Sequence, residues 1–508
     1  MSWGSDTLGV TEDTFEMIKA ATSGITSSTG IAGITMGDLV SLVPVDVPFF
    51  NSTPRRPAKQ GAVFAVWQAL LNINNQQLDG GVPADQSAPL TQISDQYLYS
   101  PYATVGAGGT VTYGAITQGQ NYADVLAVDT LQSINQLLIS LDIHQLGAQS
   151  FALPAAPTPT LVAAASGGSI ASGTAVHVKV AARSCVNYYR GGSQAASSDA
   201  TVTAGSTDNT NSVSASCTAV KTAACYDWFV GSSSSNQVYY TTTAVNTVTI
   251  TSVPTTAQLI PTNLAGLYNA GKTGPAAVPT ADTSYQTYWQ NGLLPSILGD
   301  FSVALDQLGV AGSVANLATP GAGTAQGSYY KSLDGSQMTV KGAALQEIDD
   351  MNRSIYDTYN LSTTRMLMGS QVITDIANAL LDNPQAVTWL TPTDSDGRAR
   401  LVAGGAVAIY LNKTVNGKPI TLELMPHLPP GKIVAVVDEV PFPGANIAST
   451  LEVETLTDMY RFDYGANRVA NTSGGGPRYD FEVRSEQAFK NLASPTMGII
   501  DNVGVGIS

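Results

Sequence analysis

Apolar residues recur at helical spacing in a stretch that ends near residue 146. The residues that share this predicted helix face are Val128, Leu131, Ile134, Leu138 and Leu141. Gly147 follows them and is suited to end the helix, because glycine is common just beyond a helix C-terminus. The pattern therefore predicts one long helix over 121–146.

Two further helices are predicted between residues 342 and 383. The first, within 342–359, carries an apolar face made by Ala344, Ile348, Met351 and Ile355. The second is capped by Ser370 and is followed by Pro384. Its inward residues are Ile373, Ile376 and Leu380. A fourth, short helix is expected near residues 12–20, within a polar and acidic N-terminal arm.

Alternation of apolar and polar residues predicts strands elsewhere. Residues 61–73 and 96–116 are extended stretches separated by a polar, turn-rich segment, which predicts a long two-stranded loop with little core of its own. Further strands are expected after residue 384, the last of them buried near the C-terminus.

Residues 153–255, called the insertion below, differ from the rest of the chain in composition and patterning. Linker-like sequences flank the segment, and Ser-, Gly- and Asn-rich turns separate its alternating runs. The positions that share apolar faces are Val176, Val178 and Val180, then Tyr226, Trp228 and Val230, then Val248 and Ile250. We predict an inserted antiparallel β-sandwich, immunoglobulin- or fibronectin-like, joined to the rest by flexible ends and exposed to the exterior.

Charge is scarce in this chain of 508 residues, whose length allows roughly three domains. Charged residues make up 12%, against about 25% in average globular proteins, and the net charge is −15. An acidic chain is a poor candidate for binding nucleic acid through clustered cations. Low charge instead suggests a surface covered by copies of the same chain. No apolar run long enough to span a membrane and no signal peptide is seen, so synthesis in the cytoplasm is expected.

A phosphate-loop pattern, Gly266 to Thr273 with Lys272, is the strongest enzymatic motif. Asp438 and Glu439 follow an apolar run, like the acid that holds magnesium in nucleotide hydrolases. The sequence context opposes this interpretation, because a proline-containing segment precedes the loop and Gly274-Pro275 follows it. We expect a glycine-rich loop and an ordinary buried strand.

The other candidate residues are assigned structural roles. Cys185, Cys217 and Cys225 are expected to be small core residues, although Cys185 can still pair with Cys217 or Cys225 in oxidising medium. The acidic pairs Asp349/Asp350 and Glu452/Glu454 are expected to be surface charge. The histidines His144, His177 and His427 are too far apart in sequence to suggest a zinc site. Arg55, Arg56 and Lys59 are expected in inter-subunit salt bridges rather than on DNA.

The order of parts resembles the major capsid protein of tailed bacteriophages: arm, extended loop, long helix, variable insertion, then helices and a strand-rich end. The stretches that carry the resemblance are PRRPAKQGAVFAVW, DVLAVDTLQSINQLLISLDIHQLGAQSF, EIDDMNRSIYDTYNLSTTRMLMGSQVITDIANALLD, HLPPGKIVAVVDEV and YRFDYG…RYDFEVRSEQAFKNLASPTMGIIDNV. The insertion resembles fibronectin- or immunoglobulin-like domains that some phages add to capsid proteins, through GGSIASGTAVHVKVAA and CYDWFVG.

The resemblance implies an α+β fold with seven parts. These are an N-terminal arm (1–58), an extended loop (59–120), the spine helix of a peripheral domain (121–152), the inserted sandwich (153–255), a connecting or axial segment (256–327), peripheral-domain helices (328–383), and axial-domain strands that return to the peripheral domain (384–508).

The function implied is structural and without enzymatic activity, cofactor or metal. Copies would form hexamers and pentamers of an icosahedral capsid around double-stranded DNA, assembled in the bacterial host cytoplasm. Partners would be portal and scaffold proteins, cement proteins, and packaged DNA contacted non-specifically, with no membrane. Some family members join neighbours through a Lys–Asn bond from the extended loop, but no lysine occurs from residue 60 to 178, so no such bond is expected here. The alternatives are a fibre or surface adhesin that binds carbohydrate through the sandwich, and a P-loop nucleotide hydrolase.

Overall fold

The computed structural model describes residues 45–58, 61–73, 84–85, 93–119, 124–205, 209–254, 278–298, 328–341, 344–381, 409–415, 417–440, 449–467 and 478–504. Most of the predicted arm, the helix expected at 12–20, Lys59, the phosphate-loop pattern at 266–273 and the strand expected near 386–390 lie outside these residues. Within them the fold is mixed α+β, as predicted.

The helices are α1 Pro48–Ser52, α2 Tyr113–Gly119, α3 Val125–Gly147, α4 Cys185–Arg190, α5 Leu293–Leu298, α6 Gln346–Tyr359 and α7 Ser370–Leu381. The strands are β1 Arg55–Pro57, β2 Phe64–Ile73, β3 Ile93–Pro101, β4 Ala103–Thr112, β5 Thr160–Ala164, β6 Ala175–Ser184, β7 Ala200–Thr203, β8 Ser212–Ser216, β9 Ala223–Gly231, β10 Val238–Thr243, β11 Thr247–Ile250, β12 Tyr329–Ser332, β13 Val340–Lys341, β14 Ala344–Leu345, β15 Arg365–Met368, β16 Ile409–Asn412, β17 Lys418–Leu424, β18 Ile433–Val436, β19 Leu451–Asn467, β20 Arg478–Asn491 and β21 Gly498–Asp501. Short 3-10 turns occur at Lys413–Val415 and Ser494–Thr496.

The chain divides into two compact units. Gly106–Leu137 and Tyr460–Arg484 belong to the first, and Asp46–Val105, Leu138–Met459 and Ser485–Ser508 to the second. In the first unit, β4 approaches β20 so closely that a Cβ at Gly109 would lie 2.5 Å from Asp129 Oδ2 and overlap the Phe481 ring. Glycine is therefore required at position 109 by packing.

A six-stranded sheet forms the centre of the second unit, in the order β12-β21-β18-β15-β17-β16. Strands β21, β18 and β15 are mainly apolar and buried on both faces, whereas β17 is partly exposed. Residues on one face, such as Leu367, Val434 and Ile499, join a core that also contains Phe49 and Leu146. Alternate residues, such as Met366 and Ile433, pack with helices α6 and α7.

Helix α3 matches the predicted long helix, but its buried face differs from the expected one. Asp124 caps the helix, since its Oδ1 accepts the N–H groups of Leu126 and Ala127 at 3.1 Å each. Leu131, placed on the buried face by its spacing, is 56% exposed, whereas Leu137 is fully buried. The last turns of α3 are enclosed on nearly every side, so apolar periodicity cannot define one face there.

Helices α6 and α7 follow the prediction closely. Ile348, Met351 and Ile355 of α6 are buried, although Ala344 lies in β14 before the helix begins. Helix α7 begins at Ser370, and its Ile376 is fully buried. The strands expected after residue 400 are found as β16 to β21.

The insertion folds into two antiparallel sheets that share one apolar core. The first has the order β10-β9-β6-β7 and the second the order β11-β8-β5. The predicted inward residues lie in this core: Val176, Val178, Val180, Tyr226, Trp228, Val230, Val248 and Ile250. Likeness to a particular sandwich family stays a prediction.

The insertion is packed into the second unit, which differs from the expectation of a loosely tethered domain. Cys185 and Ala224 belong to the same core cluster as Leu146 and Leu293. All nine residues of β9 are buried, since the face of β9 turned away from the sandwich core is covered as well. The insertion is therefore a structural part of this unit.

Residues 278–298, called the strap below, hydrogen-bond to the insertion and to the segment that follows α3. Thr283 N–H donates to the Ser193 carbonyl (2.9 Å), and Ser184 Oγ donates to the Ser284 carbonyl (2.7 Å). Beyond α3, the Ser150 N–H donates to Asn291 Oδ1 (3.0 Å). These bonds satisfy polar groups of a segment that lacks regular structure before α5.

Gly147 sits where α3 meets the insertion. A Cβ there would lie 2.6 Å from Cys185 Sγ. We predict that Gly147→Ala lowers the free energy of unfolding by about 1–3 kcal/mol through overpacking. Gly114→Ala is the matched control, because Gly114 is also helical and a Cβ there meets nothing within 4 Å. The control should be neutral or raise stability by about 0.5–1 kcal/mol. Calorimetry of the unassembled protein measures both, and equal effects would contradict this view of the contact.

Candidate functional site

Strands β2 and β3 form a two-stranded antiparallel sheet of their own, called the ribbon below. The pairing runs from Phe64 opposite Pro101 to Ile73 opposite Ile93, with a bulge between Leu70 and Asn72. Ten extended residues span about 33 Å. The ribbon confirms the predicted pairing of two extended stretches, but the second stretch, expected over 96–116, leaves the ribbon after Pro101. Strand β4 pairs with β20 instead, and Tyr113–Gly119 is helical.

Described contacts anchor the base of the ribbon. Ala65 and Ser100 are buried, and the Asn291 N–H donates to Ser100 Oγ at 3.4 Å. Close by, Val63 is 69% exposed and Val66 is 44% exposed. A two-stranded sheet is marginal in water without a surface to pack on, so the ribbon is the clearest candidate for an interaction element.

Cations beside the ribbon's start are paired within the chain. Arg56 Nε lies 3.1 Å from Glu452 Oε2, and the Arg55 guanidinium stacks 3.5 Å above the Phe50 ring. Lys490 forms an ion pair with Glu454. Arg55 has Asp458 at 4.0 Å. Both arginines therefore have carboxylate neighbours within the chain, and the expected inter-subunit salt bridges stay a prediction.

Asp142 on α3 connects three distant segments. Its Oδ1 accepts the N–H of Phe50 (2.8 Å), and its Oδ2 lies 2.7 Å from His427 Nδ1. The carboxylate is fully buried, and its partners lie 92 and 285 residues away in sequence. A buried carboxylate requires such partners, so this contact fixes α1 and the loop after β17 against α3.

The three histidines lie in separate surroundings. His144 stacks edge-on against Trp289, His177 contacts Asp199 at 2.7 Å, and His427 contacts Asp142. Among the described residues, no group of histidines, cysteines and acids is arranged to hold a metal ion.

The three cysteines are free and buried. Burial raises the pKa of Cys185 and Cys217 to about 12 and raises that of Cys225 as well. Thiols of this kind are poor nucleophiles at neutral pH. Cys217 lies in the sandwich core as predicted, whereas Cys185 lies in the main core of the second unit.

The candidate acids are engaged in ordinary contacts. Asp438 accepts Arg365 Nε at 3.0 Å and Thr364 Oγ1 at 2.8 Å, so it anchors the end of β18. Asp349 accepts the Tyr410 hydroxyl at 2.6 Å. Asp350 pairs with Arg353 on the same helix. Each of these three carboxylates has a partner close by. The expectation of surface charge is wrong for Glu452, which is buried with Arg56 and Lys490 as its partners.

Sequence patterns missed the buried charged residues. Asp142, Lys432, Asp501 and the pair Arg183–Asp227 are nearly inaccessible to solvent. Lys432 directly precedes the apolar run of β18 and Asp501 ends that of β21, which is the one sequence signal that marks them. In the described part of the chain, no helix is long and apolar enough to cross a bilayer.

The environment of His144 makes stability depend on pH. Desolvation, with a smaller contribution from Arg190, lowers the His144 pKa from 6.5 to about 4, and Nδ1 has no partner among the described residues. The folded state therefore favours neutral histidine, and this stabilisation is lost as pH falls from 6.5 towards 4. We predict that His144→Leu reduces the fall in melting temperature over this range, while His177→Gln retains it. An unchanged pH profile in His144→Leu would contradict the assignment.

No family model matches the sequence, and no curated protein matches it. Among solved structures, the chain is similar to one from the capsid of Myoviridae phage XM1, with 7% identity, a TM-score of 0.40, and coverage of 94% of this chain and 100% of that chain. It is similar to a chain of the cyanophage A-1(L) capsid asymmetric unit (10% identity, TM-score 0.39, 93% and 97% covered). A chain from the capsid of the native GTA particle gives 8% identity, a TM-score of 0.39, and coverage of 96% and 98%. All three neighbours are capsid chains.

Proposed function

We propose that this chain is the major capsid subunit of a tailed bacteriophage, and that copies of it assemble into hexamers and pentamers of an icosahedral shell around double-stranded DNA. The observation that carries the proposal is the ribbon, a long two-stranded sheet with exposed apolar residues near its base. A neighbouring copy supplies the surface that such a sheet needs.

The charge distribution supports this proposal. A surface with few charges can be covered by identical copies without leaving charges unpaired in the interfaces. The acidic balance keeps the shell from binding tightly to the DNA inside it, which would be contacted non-specifically. Portal, scaffold and cement proteins are the proposed further partners, and the proposed location is the virion, after assembly in the host cytoplasm.

The proposed role is structural rather than enzymatic. The thiols are buried with raised pKa values, and the acids singled out by the sequence have local cationic or hydroxyl partners. The insertion supports the same view, because its Cys185 and Ala224 lie in the main core and its groups bind the strap. We propose that the insertion stabilises the subunit.

Electron microscopy of the purified chain tests the proposal, and we predict closed particles. Val66→Asp should lower particle yield at least about tenfold, because about 1.4 kcal/mol suffices for that factor and a charge buried in an interface exceeds it. Val162→Asp is the matched control: Val162 is 61% exposed on β5 of the insertion. Its particle yield should stay unchanged, and circular dichroism should show both variants folded.

Two outcomes would contradict this proposal. One is a wild-type chain that stays monomeric at every concentration. The other is a Val66→Asp variant that assembles as well as the wild type while Val162→Asp does not.

The shell is proposed to lack Lys–Asn bonds from the extended loop, because residues 60–178 contain no lysine. Mature particles should therefore give a single band near 52.6 kDa on a denaturing gel. A ladder of multimers that survives boiling in detergent and reductant would show that covalent bonds join the subunits.

A further inference from the structure

Lys432 and Asp501 face each other across two neighbouring strands. Strands β18 and β21 pair antiparallel, with Ile433 opposite Ile500. This register brings the residue before β18 next to the last residue of β21. Lys432 Nζ lies 2.5 Å from Asp501 Oδ1, and the two side chains are 2% and 1% exposed.

Donors surround the Asp501 carboxylate. The Asn502 N–H donates to Oδ1 (2.8 Å), and the Tyr330 hydroxyl donates to Oδ2 (3.4 Å). Asp501 is the hydrogen-bond acceptor of the Lys432 ammonium among the residues that the structure describes. The Lys432 nitrogen and the Asp501 carboxylate are therefore held in direct contact in a site closed to water.

No other ion pair in the described structure combines these features. Arg183 and Asp227 are equally buried, but a guanidinium is not a useful nucleophile. The Lys490–Glu454 side chains are 13% and 19% exposed, so water can solvate both charges. Among the described residues, Lys432 and Asp501 are therefore the only lysine–carboxylate pair that is shielded from solvent.

We propose that Lys432 and Asp501 condense into an intrachain amide after folding. A proton passes from the ammonium to the carboxylate, which leaves an amine and a carboxylic acid. The amine Nζ attacks Asp501 Cγ, and the Tyr330 hydroxyl stabilises the negative charge that develops on Oδ2. Oδ1, which accepts the Asn502 N–H, carries the transferred proton and is the oxygen that departs. A proton from nitrogen then moves to the departing hydroxyl, the Cγ–O bond breaks, and one water leaves. No oxidant or reductant is needed.

Fixed geometry makes this step feasible. The two groups are held in contact by paired strands, which replaces a bimolecular encounter with an intramolecular one. The amide would connect residues 432 and 501 and hold β21 in the middle of the six-stranded sheet. The bond is internal to one chain and does not depend on shell assembly.

Intact-mass spectrometry of the purified, denatured full chain tests the proposal. The wild type should weigh one water molecule less than its sequence. Lys432→Arg, which keeps the positive charge, should show its full sequence mass. After proteolysis, a branched peptide should connect the fragment that contains Lys432 to the fragment that contains Asp501.

A wild-type chain of full sequence mass after prolonged incubation of the folded protein would overturn the proposal, and so would a missing water assigned to other residues. The internal comparison is Lys490, which should be recovered unmodified. If Lys432→Arg fails to fold, the wild-type mass and the branched peptide still decide the outcome. Failure of particle assembly would leave both measurements unaffected.

Discussion

Close packing around the last turn of helix α3 is the interaction on which the second unit depends. Leu146 is fully buried, and Gly147 leaves just enough room for Cys185 of the insertion. The same core contains Phe49 and Ile499, which come from opposite ends of the described sequence. Because protein interiors are packed as densely as crystals, even one added methyl group at this junction disturbs the packing of several segments.

This core explains why the insertion is not an appendage. Its strands shield the end of α3, and its Ser184 and Ser193 provide hydrogen bonds to the strap. The strap has few backbone partners of its own before α5, so the insertion supplies them. The insertion thus has a sandwich core of its own and also contributes Cys185 and Ala224 to the core around the end of α3.

The ribbon presents the opposite situation. Its two strands satisfy each other's backbone groups but gain no third strand in the described structure. Under the proposed function, a neighbouring copy supplies the surface on which the ribbon packs. A well-packed body combined with such a ribbon suits a subunit whose fold is completed by assembly, which is the physical content of the proposed shell.

Local periodicity was enough to predict the buried residues where an element buries one regular face. Val176, Val178 and Val180 alternate because one face of β6 forms the sandwich core, and Ile348, Met351 and Ile355 follow the helical repeat of α6. Periodicity failed on α3, where Leu131 is exposed on the predicted buried face, and it missed Leu137, since the later turns of the helix are enclosed on several sides.

Contacts between residues far apart in sequence leave no local pattern. Asp142 contacts His427 across a sequence separation of 285 residues, and Lys432 contacts Asp501 across a separation of 69 residues. Only the fold brings such groups together, so their burial and pairing were beyond sequence analysis. The lysine-free stretch 60–178, by contrast, is a property of composition and needed no structure.

Hydrogen–deuterium exchange of the ribbon tests the central claim most directly, if free subunits and assembled particles are compared. The account predicts that amides in Phe64–Ile73 and Ile93–Pro101 exchange quickly in the free subunit and become protected in the particle. Amides of β18 should be protected in both states, because this strand is buried on both faces. Strong protection of the ribbon in a dilute, monomeric subunit would contradict the account.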